Sequence, residues 1–173
     1  MKRLLIIFTC SLFSYLPTLV VAQQKLAVVD LEQALNNSAY AKAQHLQLQN
    51  DETYRTNIEA YNKLGAELEK MQEDAKVNSV TWSDRQKQAF NADREEKLQK
   101  INAIRRRIEG QKATVSRNIL QVMTPTLKEA VRKIIDDRQL DLLLKDPSVI
   151  FYKPSLDLTD ELTSLVDELQ AAE

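Results

Sequence analysis

The sequence predicts a mainly α protein with a small β body, from which a long antiparallel helical hairpin projects as a coiled-coil-like arm. Three observations predict this class. Residues 40–122 contain no proline and carry narrow apolar stripes at helical spacing. Short aliphatic or β-branched segments lie near the two ends of the chain instead. The aromatic content is only 6%, so we expect aliphatic packing or association between chains to hold the fold.

The first 22 residues have the layout of a secretory signal peptide. Two basic residues precede an apolar run, which ends in medium and small side chains at Ala22. We predict export and cleavage after Ala22. An uncleaved membrane anchor is the alternative, although Pro17 and several hydroxyl residues dilute the hydrophobicity of the run. Cleavage would remove Cys10, the only cysteine, so the mature fold would contain no disulfide.

The arm is predicted to consist of two helices. One long helix is expected from Tyr40 to Ala75, where apolar side chains advance by threes and fours. Turn-forming residues follow, and Ser83 with Gln86 has the spacing of a capping box at the start of a second helix, which runs to about Met123. Charged residues interrupt both apolar stripes, so the seam is that of an imperfect coiled coil.

The chain is predicted to divide into an arm and a body. The arm covers residues 40–122, with its tip near 77–83, and the body combines residues 23–39 with 123–173. Thr124–Pro125 is expected to interrupt the second helix, because proline lacks a backbone donor and disfavours helix at the preceding residue.

Three short segments are predicted to form the strands of the body: residues 25–30, 140–146 and 149–153. The second and third segments make a plausible hairpin, and the first joins them from far away in sequence. Asp30 is expected to cap a short helix, with Gln33 at its third position, and Asp157 to cap a C-terminal helix.

Such a body offers little core for so long an arm, because small domains bury a low fraction of their surface. We therefore expect several copies to associate through strand edges into a homo-oligomer. A monomer with a small base is the alternative. The residues expected to form this oligomerisation body are Leu26, Val28, Leu142, Leu144, Ile150 and Tyr152.

The order of these segments resembles the OmpH/Skp family of periplasmic chaperones along the whole mature chain. The resemblance is carried by "KLAVVDLEQAL" after the signal peptide, the long charged hairpin, the proline-marked helix ending in "RQLDLLLKD", and "VIFYKPSLDLTDELTSLVDEL". It implies a periplasmic homotrimer whose strands build the body. It also implies hairpins that surround a cavity and hold unfolded outer-membrane proteins, without ATP, before membrane insertion.

Sparse apolar residues on the arm suit a chaperone that makes many weak contacts with varied clients. The candidates for client contact are Tyr61, Met71, Trp82 and Phe90, with packing inside the hairpin as the plainer interpretation of each. The alternative function is an exported coiled-coil spacer or adaptor that binds a folded envelope partner. The broken seam favours the chaperone, since a rigid spacer would benefit from an uninterrupted apolar repeat.

The charge distribution departs from the strongly basic character of the best-known member of that family. The formal net charge is −1, yet residues 85–117 carry ten lysines and arginines against four acidic residues. Weak contact of this stretch with an anionic membrane surface is therefore expected at most. Arg105–Arg107 are consecutive and spread around a helical turn, so we predict a solvated surface rather than a nucleic-acid site.

The composition gives no sign of catalysis. The chain has one histidine, His45, no glycine-rich loop and no His/Cys cluster, so we expect neither an enzyme nor a cofactor or metal. Gly65 and Gly110 are the only glycines, and both lie in predicted helices. They are interpreted either as hinges of the arm or as small residues at a helix crossing.

Overall fold

The computed structural model describes residues 24–172. The predicted signal peptide and its cleavage site after Ala22 lie outside the described residues. In chain order the elements are β1 (Leu26–Val29), α1 (Leu31–Asn37), α2 (Ala39–Asn50), α3 (Glu52–Asn78), α4 (Asp84–Arg138), β2 (Leu142–Lys145) and α5 (Thr159–Ala171), with single 3-10 turns at Ser79–Thr81, Asp146–Ser148 and Pro154–Leu156. The predicted fold class is confirmed: helices dominate, a long hairpin extends from them, and the sheet is small.

Helices α3 and α4 form the hairpin. Asn57 of α3 contacts Gln111 of α4, whereas Glu67, farther along α3, contacts Lys97, so the two helices run antiparallel. The 55 residues of α4 span about 80 Å at 1.5 Å rise per residue. The predicted capping box at Ser83 is confirmed, because the Gln86 side chain accepts from the Ser83 N–H at 2.8 Å and Ser83 Oγ accepts from the Gln86 N–H.

The prediction of one helix from Tyr40 to Ala75 is wrong, because the chain breaks at Asp51. This residue is extended, with φ −65° and ψ 126°, and it is the N-cap of α3. Its carboxylate accepts from the Tyr54 N–H at 2.7 Å. An aspartate side chain competes with the helical backbone in this way and favours the start of a new helix over continuation of the old one.

The prediction that Thr124–Pro125 interrupts the second helix is also wrong, because α4 continues to Arg138. Proline removes one backbone donor and costs roughly 3 kcal/mol inside a helix. Met123 and Thr126 on either side of the pair are fully buried in the body, and the Thr124 hydroxyl donates to the Leu120 carbonyl of the preceding turn. Burial on this face outweighs the local cost and keeps the helix intact.

The predicted hairpin of residues 140–146 and 149–153 is wrong as well. β1 and β2 pair in parallel, with Leu26 opposite Leu142 and Val28 opposite Leu144. Residues 149–153 form no strand, because the chain turns through the 3-10 segment Asp146–Ser148, whose proline cannot donate to a ladder. On the other side of β1, the Leu158 N–H donates to the Val28 carbonyl at 2.9 Å.

The core lies where α1, α2 and α5 pack on β1 and on the second half of α4. Its buried members include Val29, Leu35, Met123, Ile134 and Leu162. The predicted cap of α1 is confirmed, because Asp30 Oδ1 accepts from the Glu32 and Gln33 N–H groups at 3.0 and 2.9 Å. The Asp157 carboxylate accepts from the Thr159 N–H at 2.9 Å as α5 begins, although the N-cap position itself is occupied by Leu158.

Arg138 Nε and Nη2 donate to both carboxylate oxygens of Glu161, at 2.9 and 2.5 Å, and tie the end of α4 to α5. Between residues 24 and 172, no helix combines the length and the apolarity that a membrane crossing needs.

The two glycines lie inside α3 and α4, and neither has a positive φ. A Cβ atom built at either position would meet nothing within 4 Å. The interpretation as small residues at a helix crossing is therefore wrong, since such a residue would face a close neighbour. Their role as hinges stays a prediction.

We expect Gly65→Ala to raise the free energy of unfolding by about 1 kcal/mol, because alanine loses less backbone entropy in a helix and meets no steric obstacle here. Urea denaturation followed by circular dichroism would measure the change. Gly110→Ala is the matched variant, and the two effects should add. A lower stability in either variant would show that the native arm needs glycine at that position.

Candidate functional site

The arm and the body differ in how completely they bury apolar side chains. In the part of the chain that the structure describes, α3 contains no buried residue, and the buried residues of α4 begin only at Ile108. The apolar stripes of the outer hairpin are half-buried at most. The arm therefore presents a long surface that is partly apolar and open to solvent.

The predicted contact residues lie along this surface. Tyr61 and Met71 lie on α3, Trp82 follows the turn at the tip, and Phe90 lies in the second turn of α4. All four side chains are half-buried. The structure brings two of them together, because the Trp82 and Phe90 rings pack with centroids 4.8 Å apart at an interplanar angle of 47°. Tyr61 and Met71 lie farther down the arm, about 15 Å from each other along the helix.

Two apolar residues at the tip were missed by the sequence reasoning. Val77 and Val80 are 75% and 89% exposed. The signal was available, since valine is an unusual choice in the last turn of a polar helix and in the polar turn that follows it. We call Val77, Val80, Trp82 and Phe90 together the tip surface.

The two helices of the arm are joined partly by polar contacts. Lys97 Nζ lies 3.0 Å from Glu67 across the hairpin and 3.4 Å from Asp93 on its own helix. The hydrogen bond from Lys97 lowers the pKa of Glu67, and the same bond raises the pKa of Lys97. Asn57 Nδ2 donates to Gln111 at 3.2 Å nearer the body. Exposed ion pairs contribute little net stability, so these contacts fix the alignment of α3 with α4 more than they stabilise the hairpin.

The predicted oligomerisation residues fall into two groups. Val28 is buried inside this chain, and Leu144 and Tyr152 are half-buried. Leu26 and Leu142 are 39% and 48% exposed, and Ile150 is fully exposed. Leu26 pairs with Leu142 and Val28 with Leu144, so these four side chains lie on the same face of the two-stranded sheet.

An exposed aromatic side chain and an unpaired strand edge lie near these residues. Phe151, next to Ile150, is 83% exposed and was missed by the sequence reasoning. The outer edge of β2 has no partner strand among the described residues of the chain. Unpaired strand edges are templates for pairing with another chain.

Tyr152 holds the exposed segment near the body. Its hydroxyl donates to Asp157 Oδ2 at 3.3 Å. Hydrogen bonding with Asp146, together with partial burial and the charge of Asp157, raises the pKa of Tyr152 to about 12. The pKa of Asp157 is lowered, chiefly by the hydrogen bond from Thr159. The tyrosine thus connects the two ends of the segment from Asp146 to Asp157.

No metal centre is evident between residues 24 and 172, where no three His, Cys, Asp or Glu side chains are grouped to hold an ion. His45 is half-buried in α2. The sequence-based expectations of no catalysis, no cofactor and no nucleic-acid binding stay predictions.

Comparison with known protein families identifies the family of the chain. The model of a family described as "Outer membrane protein (OmpH-like)" matches residues 25–165. The chain belongs to this family. The match confirms the predicted resemblance to the OmpH/Skp family.

Individual relatives of this OmpH-like chain are distant. It is 23% identical over 159 residues to the Skp-like protein of Pseudomonas aeruginosa, and the alignment covers 86% of this chain and 88% of the relative. A crystal structure of an OmpH-like outer membrane chaperone from Caulobacter crescentus matches with a TM-score of 0.47 and 18% identity, covering 85% of this chain and 86% of the other.

We expect Tyr152 to ionise with a pKa of about 12, well above the usual value for tyrosine, because two carboxylates disfavour the phenolate. The stabilisation by the neutral phenol is complete below about pH 10 and is lost as the pH rises towards 12. Absorbance at the phenolate band would follow the titration, with Tyr152→Phe to assign the signal. Asp146→Asn should lower the pKa of Tyr152, and an unchanged value would contradict this role of Asp146.

Proposed function

We propose that this OmpH-like chain is an ATP-independent periplasmic chaperone. It holds unfolded outer-membrane proteins in a cavity between the helical arms of a homotrimer and prevents their aggregation before membrane insertion. The observation that carries the proposal is the long hairpin whose apolar side chains are only half-buried. The family membership supports the same function.

A holding chaperone needs many weak contacts rather than one tight pocket. Tyr61 and Met71 along the arm, and the tip surface at its end, offer apolar area spread over tens of ångströms. Methionine adapts its side chain to different partners, and aromatic rings supply large contact areas. Contacts of this kind suit clients that share hydrophobic segments but no common sequence.

The trimer is proposed to form through the body. The open edge of β2 and the exposed side chains of Leu26, Leu142 and Ile150 would find partners in neighbouring copies. Val28 and Leu144 would support this interface from inside the chain. Closed rings form when such head-to-tail contacts are related by a rotation, and three arms would then enclose one cavity.

The structure favours a chaperone over a spacer that binds one folded partner. A rigid spacer would profit from a closed apolar seam, whereas α3 has no buried residue and the helices are joined in part by Lys97 with Glu67 and by Asn57 with Gln111. We also propose that residues 1–22 direct export. Residues 85–117 would make weak contact with anionic membrane surfaces.

The decisive experiment is light scattering after a urea-unfolded outer-membrane barrel protein is diluted into buffer with the chain from Gln23 onward. We expect scattering to be suppressed near one trimer per client. Part of the suppression should be lost at high salt, because residues 85–117 are basic. Unchanged scattering at several-fold excess of folded chain would contradict the chaperone and leave the spacer.

Sedimentation of the same preparation controls for assembly. A trimer at micromolar concentration is expected. A monomer that still suppresses scattering would contradict the proposed cavity but not the holding activity.

We expect Trp82→Ala to weaken client binding by about tenfold, because buried aromatic anchors dominate interface energies. Trp82 is the only tryptophan, so with a tryptophan-free client its emission should also shift to shorter wavelength on binding. Leu46→Ala removes an exposed apolar side chain near the body and is the control. Equal losses in both variants would contradict a specific role of the tip surface.

A further inference from the structure

The arm contains a cleft near the body that none of the predicted contact residues lines. It opens where α2 ends and α3 begins, at the extended residue Asp51, and α4 forms its opposite wall. Its volume is about 1130 Å³. The α4 wall extends from Arg107 to Asn118, about 16 Å at 1.5 Å rise per residue.

The walls of this cleft are unusually rich in side-chain amides, which are contributed by all three helices. An amide group donates and accepts hydrogen bonds, as a peptide group does. The amides are those of Gln44, Gln47, Asn50, Asn57, Gln111 and Asn118.

Most of these amides are available to a ligand. Only Asn57 and Gln111 bond to each other, at 3.2 Å across the cleft. Within residues 24–172, the side chains of the other four make no hydrogen bond with another protein group. That single pair is an example of the amide-to-amide bond that the free groups could make with a polypeptide.

The shape of the cleft depends on two local features. The extended residue Asp51 separates α2 from α3, and Gly110 leaves one position of the α4 wall without a side chain. A Cβ atom at Gly110 would meet nothing within 4 Å, so the space beside it is open. Leu48 and Val115 are half-buried and give the cleft some apolar surface.

The charges at the cleft favour carbonyl oxygens and acidic groups. Arg107 and Arg117 are exposed on the α4 wall. The one carboxylate that lines the cleft, Asp51, accepts from the Tyr54 N–H as the cap of α3. The two arginines therefore give the cleft more hydrogen-bond donors than acceptors, and these additional donors are positively charged.

We infer that this cleft binds an extended polypeptide segment through its main chain. The length of the α4 wall matches about five residues at roughly 3.3 Å per residue. Peptide groups are the same in every sequence, so hydrogen bonds to them would hold different clients equally well. The inference rests on the proposed function, because the ligand is an unfolded client. It adds a polar site near the body, which binds the main chain of the client, to the apolar tip surface.

The test compares two labelled peptides of ten residues with the same side chains. One has a normal main chain, and the other carries methyl groups on alternate main-chain nitrogens, which removes the donors that the side-chain amide oxygens of the cleft would accept from. We expect the full chain to bind the normal peptide about tenfold more tightly, the effect of losing two or so net hydrogen bonds. Fluorescence anisotropy measures both affinities.

Two glycine variants provide a matched pair. Gly110→Leu places an apolar side chain in the cleft and should abolish the preference for the normal peptide, whereas Gly65→Leu makes the same change on α3 outside the cleft and should keep it. At both positions the Cβ atom of the new side chain meets nothing within 4 Å. Should Gly110→Leu fail to fold by circular dichroism, Gln47→Met with Asn118→Leu removes exposed amides and should give the same loss.

The outcomes separate this inference from the proposed function. Suppression of client scattering without a preference for the normal peptide, or a preference unchanged in Gly110→Leu, overturns the cleft but leaves the chaperone. Absence of both scattering suppression and peptide binding overturns the proposed function, and the cleft with it.

Discussion

Burial of one face of α4 in the body is the constraint on which the rest of the structure depends. Met123, Ala130 and Ile134 are buried against α1, α2 and α5. Each large apolar side chain that is fully buried contributes about 1.5–3 kcal/mol, so a few of them outweigh the roughly 3 kcal/mol cost of Pro125. Because α4 is continuous, its second half anchors the arm and its first half extends into solvent. Arm and body thus share one helix, α4.

The projection of the arm limits how much apolar surface it can carry. A hairpin that projects from a small body has solvent on nearly all sides, so it cannot carry a wide apolar stripe without becoming a site of aggregation. Narrow stripes interrupted by charge satisfy this limit, and the polar pairs Asn57–Gln111 and Glu67–Lys97 keep the helices aligned. The same compromise leaves Tyr61 and Met71 half-buried and leaves the two valines of the tip surface exposed. Solubility and the proposed contact with clients would therefore arise from one pattern of side chains.

Local signals in the sequence located the helix starts at Asp30 and Ser83, although the equally local cap at Asp51 was missed. The capping groups at Asp30 and Ser83 lie where the sequence predicts them, because a cap needs only a side chain and the N–H groups two or three residues on. The amphipathic stripes predicted the hairpin for the same reason.

Other predictions failed where distant packing decides the outcome. Pro125 was expected to break α4, but the burial that preserves the helix involves α1 and α5, which are far away in sequence. Residues 149–153 have the composition of a strand, yet the 3-10 turn Asp146–Ser148 precedes them, and within residues 24–172 β2 pairs only with the distant β1. The amide-lined cleft could not be predicted, because it exists only when three helices are placed together around the break at Asp51.

The distribution of charge suggests how capture and holding are divided. Three of the ten cations in residues 85–117, Lys97, Lys100 and Arg105, form ion pairs with acidic side chains among the described residues. The other seven have no such pair there, so α4 keeps a basic surface although the whole chain is slightly acidic. Salt screens such charges beyond about 8–10 Å, and exposed charges affect the rate of encounter more than affinity. The basic surface would therefore speed the capture of acidic clients, while retention would depend on the apolar tip surface and on hydrogen bonds in the cleft.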